Sequence, residues 1–206
     1  SVEKLLAVLP RNIRSAADKE IHITHLSNNV TPWPKTCSLR SILANCADIN
    51  GRPEREFLRS LSAFINHNHP HGKDQAAKLI ELSEPSGAAL YTDYIIREKR
   101  NCADIFFDFD AIRWINSEAQ DSSMVPSNTM TVEHLLSLLQ PLYPRQFSIA
   151  SSPSAKARKC QNYIPKSFCI DLCVAVVKES TPFGREYNGV CSSFLGDLCP
   201  GSSRIM

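Results

Sequence analysis

The chain has 206 residues, 43% of them hydrophobic and 21% charged, which is enough for one large domain, or one domain with an inserted subdomain, around a buried core. Its net charge of +2 gives no reason to expect nucleic acid or an anionic membrane as a partner. The seven glycines form no G-x-G-x-x-G or P-loop spacing, which excludes a complete dinucleotide-binding Rossmann unit.

The composition also indicates the cellular compartment of the protein and whether it binds a metal ion. The sequence has no run of about 18 apolar residues and no visible signal peptide, so we expect no membrane span. Eight cysteines without a C-x-x-C pair indicate the reduced thiols of a cytoplasmic protein. Three histidines lie within His67–His71, but nothing nearby completes a metal site, so we expect none.

The first 140 residues have the apolar spacing of short helices. The pattern predicts a helix that ends before Pro10 and another that begins after an N-cap at Thr36 or Ser38. Pro53 suits the first turn of the next helix. The predicted helices are at 2–9, 39–46, 53–65, 74–82, 87–97, 101–109 and 131–139, with irregular or loop segments at 20–35, 67–72 and 117–130.

The pattern changes to that of strands after Pro144. Residues 145–151 alternate, with Phe147 and Ile149 on one face. Residues 168–177 are rich in β-branched and apolar side chains, which predicts a buried strand.

A turn and a short helix are predicted near the C-terminus. Pro182–Gly184 indicates the turn, and Gly189–Leu195 indicates a strand end followed by a helix start. The sequence therefore predicts an α+β protein that is mostly helical before residue 140 and mostly stranded after it.

Three side chains near the first predicted strand suit a flat cofactor with a phosphate tail. Arg145 supplies a forked donor for phosphate, and Phe147 offers a flat surface to a conjugated ring. The hydroxyl of Ser148 can hydrogen-bond a ring heteroatom. An edge strand with one solvated arginine and a core phenylalanine is the alternative, and the residues alone leave both open.

The second candidate is the run from Gly189 to Ser192. A glycine lets the backbone approach a ligand closely, and hydroxyl residues at a helix start leave N–H groups for an anion. An ordinary N-cap is the alternative. The two candidates together are stronger than either, because both indicate the same ligand.

These motifs resemble those of a known family. Pro144–Pro153 resembles the Arg-x-Tyr/Phe-Ser-x-x-Ser motif of the ferredoxin–NADP⁺ reductase superfamily, and Gly189–Leu195 resembles its Gly-Val-x-Ser/Thr-x-x-Leu motif. The strand at 171–177 matches in register. Segments 36–43 and 94–109 resemble the helical connecting domain of diflavin reductases, and the similarity is greatest to their cytosolic NADPH-dependent branch.

The resemblance implies roles for individual residues. Arg145 would contact the FAD pyrophosphate, Phe147 would stack on the isoalloxazine, and Ser148 would be the catalytic residue near flavin N5. The other implied FAD-binding residues are Arg100 in the connecting domain, Gln146 in the first motif, Cys173 and Ala175 at the pyrimidine ring, and Gly189, Val190, Cys191 and Ser192 in the pyrophosphate turn.

The resemblance also implies an architecture. It divides the chain into a barrel-linked segment at 1–35, a mostly helical connecting subdomain at 36–140, and an incomplete antiparallel FAD-binding β-barrel at 141–206. We expect the remaining barrel strands to lie outside this chain on both sides. The apolar residues of 168–177 would then be uncovered unless helices or another chain cover them.

The implied function is electron transfer in the cytoplasm, from NADPH through FAD to FMN and on to an anamorsin-like iron–sulfur protein. FMN and NADPH would bind elsewhere in a full-length parent, whose FMN domain would be a second partner. Two alternatives stay open. One is a helical interaction module that does not hold FAD, and the other is the FAD region of a cytochrome, methionine synthase or sulfite reductase flavoprotein.

Overall fold

The computed structural model describes residues 2–24, 32–113, 129–151 and 170–199. The chain divides into two compact units, Ser1–Tyr143 and Pro144–Met206, which we call the helical unit and the C-terminal unit. No helix within the described ranges is both long enough and apolar enough to cross a membrane.

The helical unit contains short helices and one small sheet. Its helices are α1 Val2–Val8, α2 Arg11–Ser15, α3 Leu39–Asn45, α4 Arg55–Ser62, α5 Gly72–Ser83, α6 Ala88–Tyr91, α7 Cys102–Asp108 and α8 Val132–Leu138. Single 3₁₀ turns lie at Pro85–Gly87 and Asp110–Ile112, and a π-helical turn lies at Thr92–Arg97. Strands β1 Glu20–His22 and β2 Thr36–Ser38 pair antiparallel, with Ile21 opposite Cys37.

Side-chain caps explain where two of these helices begin. Ser38 is the N-cap of α3, and its Oγ accepts the Ser41 N–H at 3.2 Å, which confirms one of the two predicted caps. Thr36, the other candidate, lies in β2. Thr131 caps α8 as predicted, in a capping box in which His134 Nδ1 accepts the Thr131 N–H at 3.2 Å.

Two of the predictions for the first half of the helical unit were wrong in part. Helix α4 begins at Arg55 after an extended Glu54, so Pro53 precedes the helix instead of opening it. The Pro53 carbonyl accepts the Tyr91 hydroxyl at 2.7 Å, which fixes this approach to α4. Within the predicted irregular segment 20–35, β1 is a strand because β2 supplies its hydrogen-bonding partner; residues 25–31 lie outside the described ranges.

The helical unit is built around one hydrophobic core. Phe106 of α7 lies at its centre, with its ring edge-on to that of Phe57 at a centroid distance of 6.2 Å. Helix α1 packs against α7, so the N-terminal residues belong to the same core. The fully buried side chains include Leu5, Leu9, Ile13, Leu39, Ile42, Leu43, Leu58, Leu61, Ile65, Leu79, Leu82 and Phe106.

Cys102 at the start of α7 is expected to be unreactive toward alkylating reagents. Burial, with a smaller contribution from Asp48, raises the pKa of its thiol to about 12. Cys173, in contrast, is exposed. A time course of iodoacetamide labelling at about pH 8, read by peptide mass spectrometry, should modify Cys173 well before Cys102. Equal rates at the two thiols would contradict the buried position of Cys102.

The C-terminal unit contains a hairpin and a helix. Strands β3 Lys178–Ser180 and β4 Glu186–Asn188 pair antiparallel, and helix α9 follows at Val190–Gly196. In the hairpin turn Gly184 has a φ of 76°, a left-handed conformation that glycine adopts readily. These elements confirm the turn predicted at 182–184 and the helix start predicted after Gly189.

The two long predicted strands differ from expectation. Within their described residues, the predicted strands at 145–151 and 168–177 pair at a single antiparallel bridge, between Ile149 and Leu172. The Ala150 N–H donates a hydrogen bond to the Asp171 carbonyl at 2.7 Å beside this bridge. The prediction of a buried strand was wrong, since Leu172 and its neighbours are mostly exposed. A strand needs paired and covered neighbours, and the described residues supply them only at this bridge.

The observed architecture confirms the α+β class. Helices and two small antiparallel sheets make up the described residues, and within them no sheet closes into a barrel.

Candidate functional site

The turn between β4 and α9 is tied closely to residue 177. The Gly189 N–H donates to the Val177 carbonyl at 2.9 Å, and the Val177 N–H donates to Ser192 Oγ at 3.1 Å. Ser192 Oγ also donates to the Gly189 carbonyl at 3.3 Å. These bonds fix the turn Gly189–Ser192 against the end of the preceding segment.

Gly189 is required here for space. Its φ of −64° is ordinary for any residue. A Cβ at this position, however, would lie 2.6 Å from Ser192 Oγ and 2.9 Å from Val177 Cβ. The backbone at Gly189 therefore packs more closely against Val177 and Ser192 than any side chain would permit.

Ser193 Oγ in α9 is buried and makes no hydrogen bond to any residue that the structure describes. A buried hydroxyl without a partner is unfavourable, and such groups often mark a place where a ligand or ion binds. Sequence reasoning missed Ser193, although its position directly after Ser192 at a helix start was a usable signal.

The candidate residues of the first motif lie on an exposed segment. Arg145, Gln146, Phe147 and Ser148 are all exposed, and Phe147 retains 38% of its accessible surface. An aromatic ring that is only partly covered can offer one face to a planar ligand.

The bridge between Ile149 and Leu172 sets the register of this motif. In an antiparallel register the neighbouring positions, Ser148 and Cys173, lie across from each other. Ala175 lies two residues farther along the same segment, and both Cys173 and Ala175 are exposed. The bridge therefore places the first motif beside the segment that carries Cys173 and Ala175.

Residues 170–177 connect the two motifs. Near one end, the Asp171 N–H donates to Ser151 Oγ at 3.1 Å, and at the other end Val177 holds Gly189 and Ser192. All the predicted site residues of the C-terminal unit therefore lie on this segment or on the chain bonded to it. The sequence motifs did not indicate Val177 as the anchor of the turn.

Arg100 lies in the helical unit. Its guanidinium stacks on the Tyr94 ring, with Cζ 4.2 Å from the ring centroid, and its Nη1 donates to Asp108 Oδ2. The side chain is 21% exposed, and its Nε is buried without a hydrogen-bond partner in the part of the chain that the structure describes. Asp108 was missed from the sequence, because no motif relates an aspartate in α7 to Arg100.

The residues present fit a flavin nucleotide. The close-packed backbone at Gly189 and the unpaired Ser193 hydroxyl suit an anionic or acceptor-rich ligand, and the exposed Phe147 ring suits a planar one.

Comparison with known proteins gives the same identification. A family model described as "FAD binding domain" matches residues 1–194. The chain is 29% identical over 170 residues to NADPH-dependent diflavin oxidoreductase 1 of Mus musculus, covering 82% of this chain and 24% of the relative. The relative of that name in Candida albicans is 28% identical over 203 residues, covering 97% of this chain and 29% of the relative. The one in Arabidopsis thaliana is 25% identical over 199 residues, covering 96% and 26%.

The chain spans about a quarter of the length of the curated relatives it matches. The match to the FAD binding domain model covers nearly all of the chain, and it agrees with the resemblance seen in both sequence motifs. The chain therefore belongs to the FAD binding domain family and corresponds to the FAD-binding region of the diflavin reductases.

Proposed function

We propose that this chain is the FAD-binding part of an NADPH-dependent diflavin oxidoreductase that relays electrons from NADPH through FAD to FMN and on to an iron–sulfur assembly protein. The observation that carries the proposal is the family match over residues 1–194. Both sequence motifs within this range are hydrogen-bonded or bridged to the segment 170–177. FMN and NADPH would bind in other parts of a longer protein. The partners would be its FMN domain and an anamorsin-like iron–sulfur protein in the cytoplasm.

The proposal includes the architecture. The C-terminal unit is proposed to be part of an antiparallel FAD-binding β-barrel, and residues 36–140 to be the connecting subdomain. The single bridge at Ile149 and the exposed apolar side chains of Leu172 and Val176 support this, because they are what an unpaired barrel segment would present.

The phosphate end of FAD is proposed to lie at the turn Gly189–Ser192. Residue 189 in this turn is a glycine and has no side chain, and the hydroxyl of Ser193 needs a hydrogen-bond acceptor. The guanidinium of Arg145 would neutralise phosphate charge. Val190 and Cys191 would contribute their backbone N–H groups, and Arg100 in the helical unit is a further proposed FAD contact.

The ring end is proposed to lie at the first motif. Phe147 would stack on the isoalloxazine, Ser148 would hydrogen-bond near its reactive nitrogen, and backbone groups of Gln146, Cys173 and Ala175 would contact the ring edge. When bound, FAD supplies the conversion between two-electron exchange with NADPH and one-electron transfer to FMN. The residues of this chain orient the ring and hold a proton donor, the Ser148 hydroxyl, beside it.

Flavin affinity tests this assignment directly. Arg145→Ala should raise the FAD Kd about tenfold, because a charge-assisted contact to phosphate is lost. Phe147→Ala should raise it by a similar factor through the loss of ring stacking. The measurement is the quenching of FAD fluorescence on titration with the purified chain.

Phe183 provides the matched control, since it is an exposed phenylalanine of the same unit that lies in the hairpin turn. Phe183→Ala should leave the Kd unchanged. Unaltered affinity in both the Arg145 and Phe147 variants would show that the flavin lies elsewhere.

The alternative is a helical interaction module that holds no FAD. The concentration of buried side chains in the helical unit favours it, since the described part of the C-terminal unit is mostly exposed. A wild-type chain that stays colourless and quenches no FAD fluorescence would support this alternative against the proposed function.

A further inference from the structure

The sequence contains two Asn-Gly pairs, one in each unit. Asn50-Gly51 lies between α3 and α4, and Asn188-Gly189 lies at the end of β4. An asparagine that precedes a glycine loses its side-chain amide more readily than other asparagines. The reason is that glycine has no Cβ to hinder the approach of its own backbone nitrogen to the preceding side chain.

This loss of the amide is a cyclisation followed by hydrolysis. The glycine backbone nitrogen gives up its proton to water and attacks the asparagine Cγ, so that a C–N bond forms, the Cγ–Nδ2 bond breaks and ammonia leaves. Water then opens the cyclic succinimide at either carbonyl carbon, which yields aspartate or isoaspartate. The glycine nitrogen must therefore abandon any hydrogen bond that it donates before it can react.

The fold holds the nitrogen of Gly189 firmly. Its N–H donates to the Val177 carbonyl at 2.9 Å, and Asn188 pairs with Lys178 in the antiparallel ladder. Ser192 Oγ donates to the Gly189 carbonyl at 3.3 Å, so the same residue is held on both of its backbone groups. Cyclisation at Asn188 would have to break the bond to Val177 and pull the strand end out of its ladder.

The nitrogen of Gly51 is held less firmly. Its N–H donates to the Asp48 carbonyl at 3.3 Å, which is longer than the usual range of about 2.7–3.2 Å. This bond closes the turn 48–51, and Asn50 lies in the turn itself, outside any helix or strand. Cyclisation at Asn50 therefore requires only a local opening of one long hydrogen bond.

We propose that Asn50 is a site of spontaneous conversion to aspartate and isoaspartate in the folded protein, and that the backbone hydrogen bond of Gly189 protects Asn188. Exposure of the asparagines alone would give the opposite order, because Asn188 is exposed and Asn50 is half-buried. The reaction needs only water and no flavin, so it is independent of the proposed function.

Conversion at Asn50 would alter the connection between α3 and α4. Ala47 and Ile49 on either side of Asp48 are buried in the core of the helical unit. Isoaspartate lengthens the main chain by one methylene within this turn. Either product also adds a carboxylate where that of Asp48 already lies close to Gly51, since a Cβ at residue 51 would be 2.7 Å from Asp48 Oδ2. We therefore expect the converted chain to unfold at a lower temperature.

Peptide mass spectrometry measures the rates at both sites. The purified wild-type chain is incubated without FAD at about pH 8 and digested at successive times, and the aspartate and isoaspartate peptides are separated by chromatography. Asn50 should convert about tenfold faster than Asn188, because an additional backbone hydrogen bond that must be broken slows a reaction by about this factor.

The same chain in concentrated urea is the matched control, because both glycine nitrogens are then free of the fold. The rate at Asn188 should rise about tenfold in urea, and the rate at Asn50 should change by less than about threefold. Asn50→Gln removes the reactive site, since the larger ring that glutamine would form closes slowly. After prolonged incubation this variant should keep its thermal midpoint, whereas that of the wild-type chain should fall.

Faster conversion at Asn50 in the folded chain, with the difference lost in urea, supports the proposal. Equal rates in the folded chain, or a faster rate at Asn188, overturn it. A difference that persists in urea also overturns it, because the flanking sequence and not the fold would then set the rates. Failure to bind FAD would count against the proposed function alone, and failure of Asn50 to convert would count against this proposal alone.

Discussion

Replacing Gly189 with valine is expected to raise the FAD Kd about 100-fold, the largest effect on binding that we predict. The valine Cβ would meet Val177 Cβ at 2.9 Å, and this atom lies close to the backbone and has little freedom to move. Ser192 Oγ, only 2.6 Å away, would have to rotate and abandon the Val177 N–H. The turn would open, and the backbone would no longer present its N–H groups in the native arrangement.

Gly184 offers a matched control in the same unit. A Cβ there would meet no atom within 4 Å, and its φ of 76° is one that asparagine tolerates. Gly184→Asn should therefore bind FAD as the wild-type chain does. Flavin fluorescence gives both affinities, and far-UV circular dichroism checks that the helical unit is intact. A Gly189→Val chain with wild-type affinity would show that this turn does not hold the cofactor.

Phe106→Ala should lower the free energy of unfolding of the helical unit by about 3–5 kcal/mol. The side chain is 1% exposed and packs edge-on against Phe57 in the centre of the core, so its removal leaves a cavity. Urea denaturation followed by circular dichroism at 222 nm measures the change.

Phe107, the next residue along α7, is the control for this substitution because its side chain is 63% exposed. Phe107→Ala should change the free energy of unfolding by less than about 0.5 kcal/mol. Equal losses in the two variants would mean that α7 does not present Phe106 to the core.

Local signals predicted the helices well. The side chains of Ser38 and Thr131 cap the helices that follow them, and a cap can be predicted because it involves only residues a few positions apart. Pro53 shows the limit of such signals, because the Tyr91 hydroxyl that binds its carbonyl lies 38 residues away. The strands were predicted less well, since pairing and burial depend on partners that a local pattern does not contain.

The candidate site was predicted only as a set of residues. Arg145, Phe147 and Gly189 came from motifs whose residue types suit the ligand, and their roles stay predictions. Ser193 and Asp108 became visible only through a buried unpaired hydroxyl and a contact between α7 and the residues before it. The sequence offered a signal for Ser193 in its position at a helix start, but no motif relates Asp108 to Arg100.

The segment from Leu172 to Val177 also limits the distance between the first motif and the glycine turn. It is bonded to the first motif at one end and to the glycine turn at the other, so five peptide units separate the two attachments. A chain of that length spans at most about 18 Å. An insertion of one residue would lengthen it and, wherever the backbone is extended, turn every later side chain to the opposite side. Insertions and deletions within this segment should therefore be poorly tolerated, even though most of it is exposed to solvent.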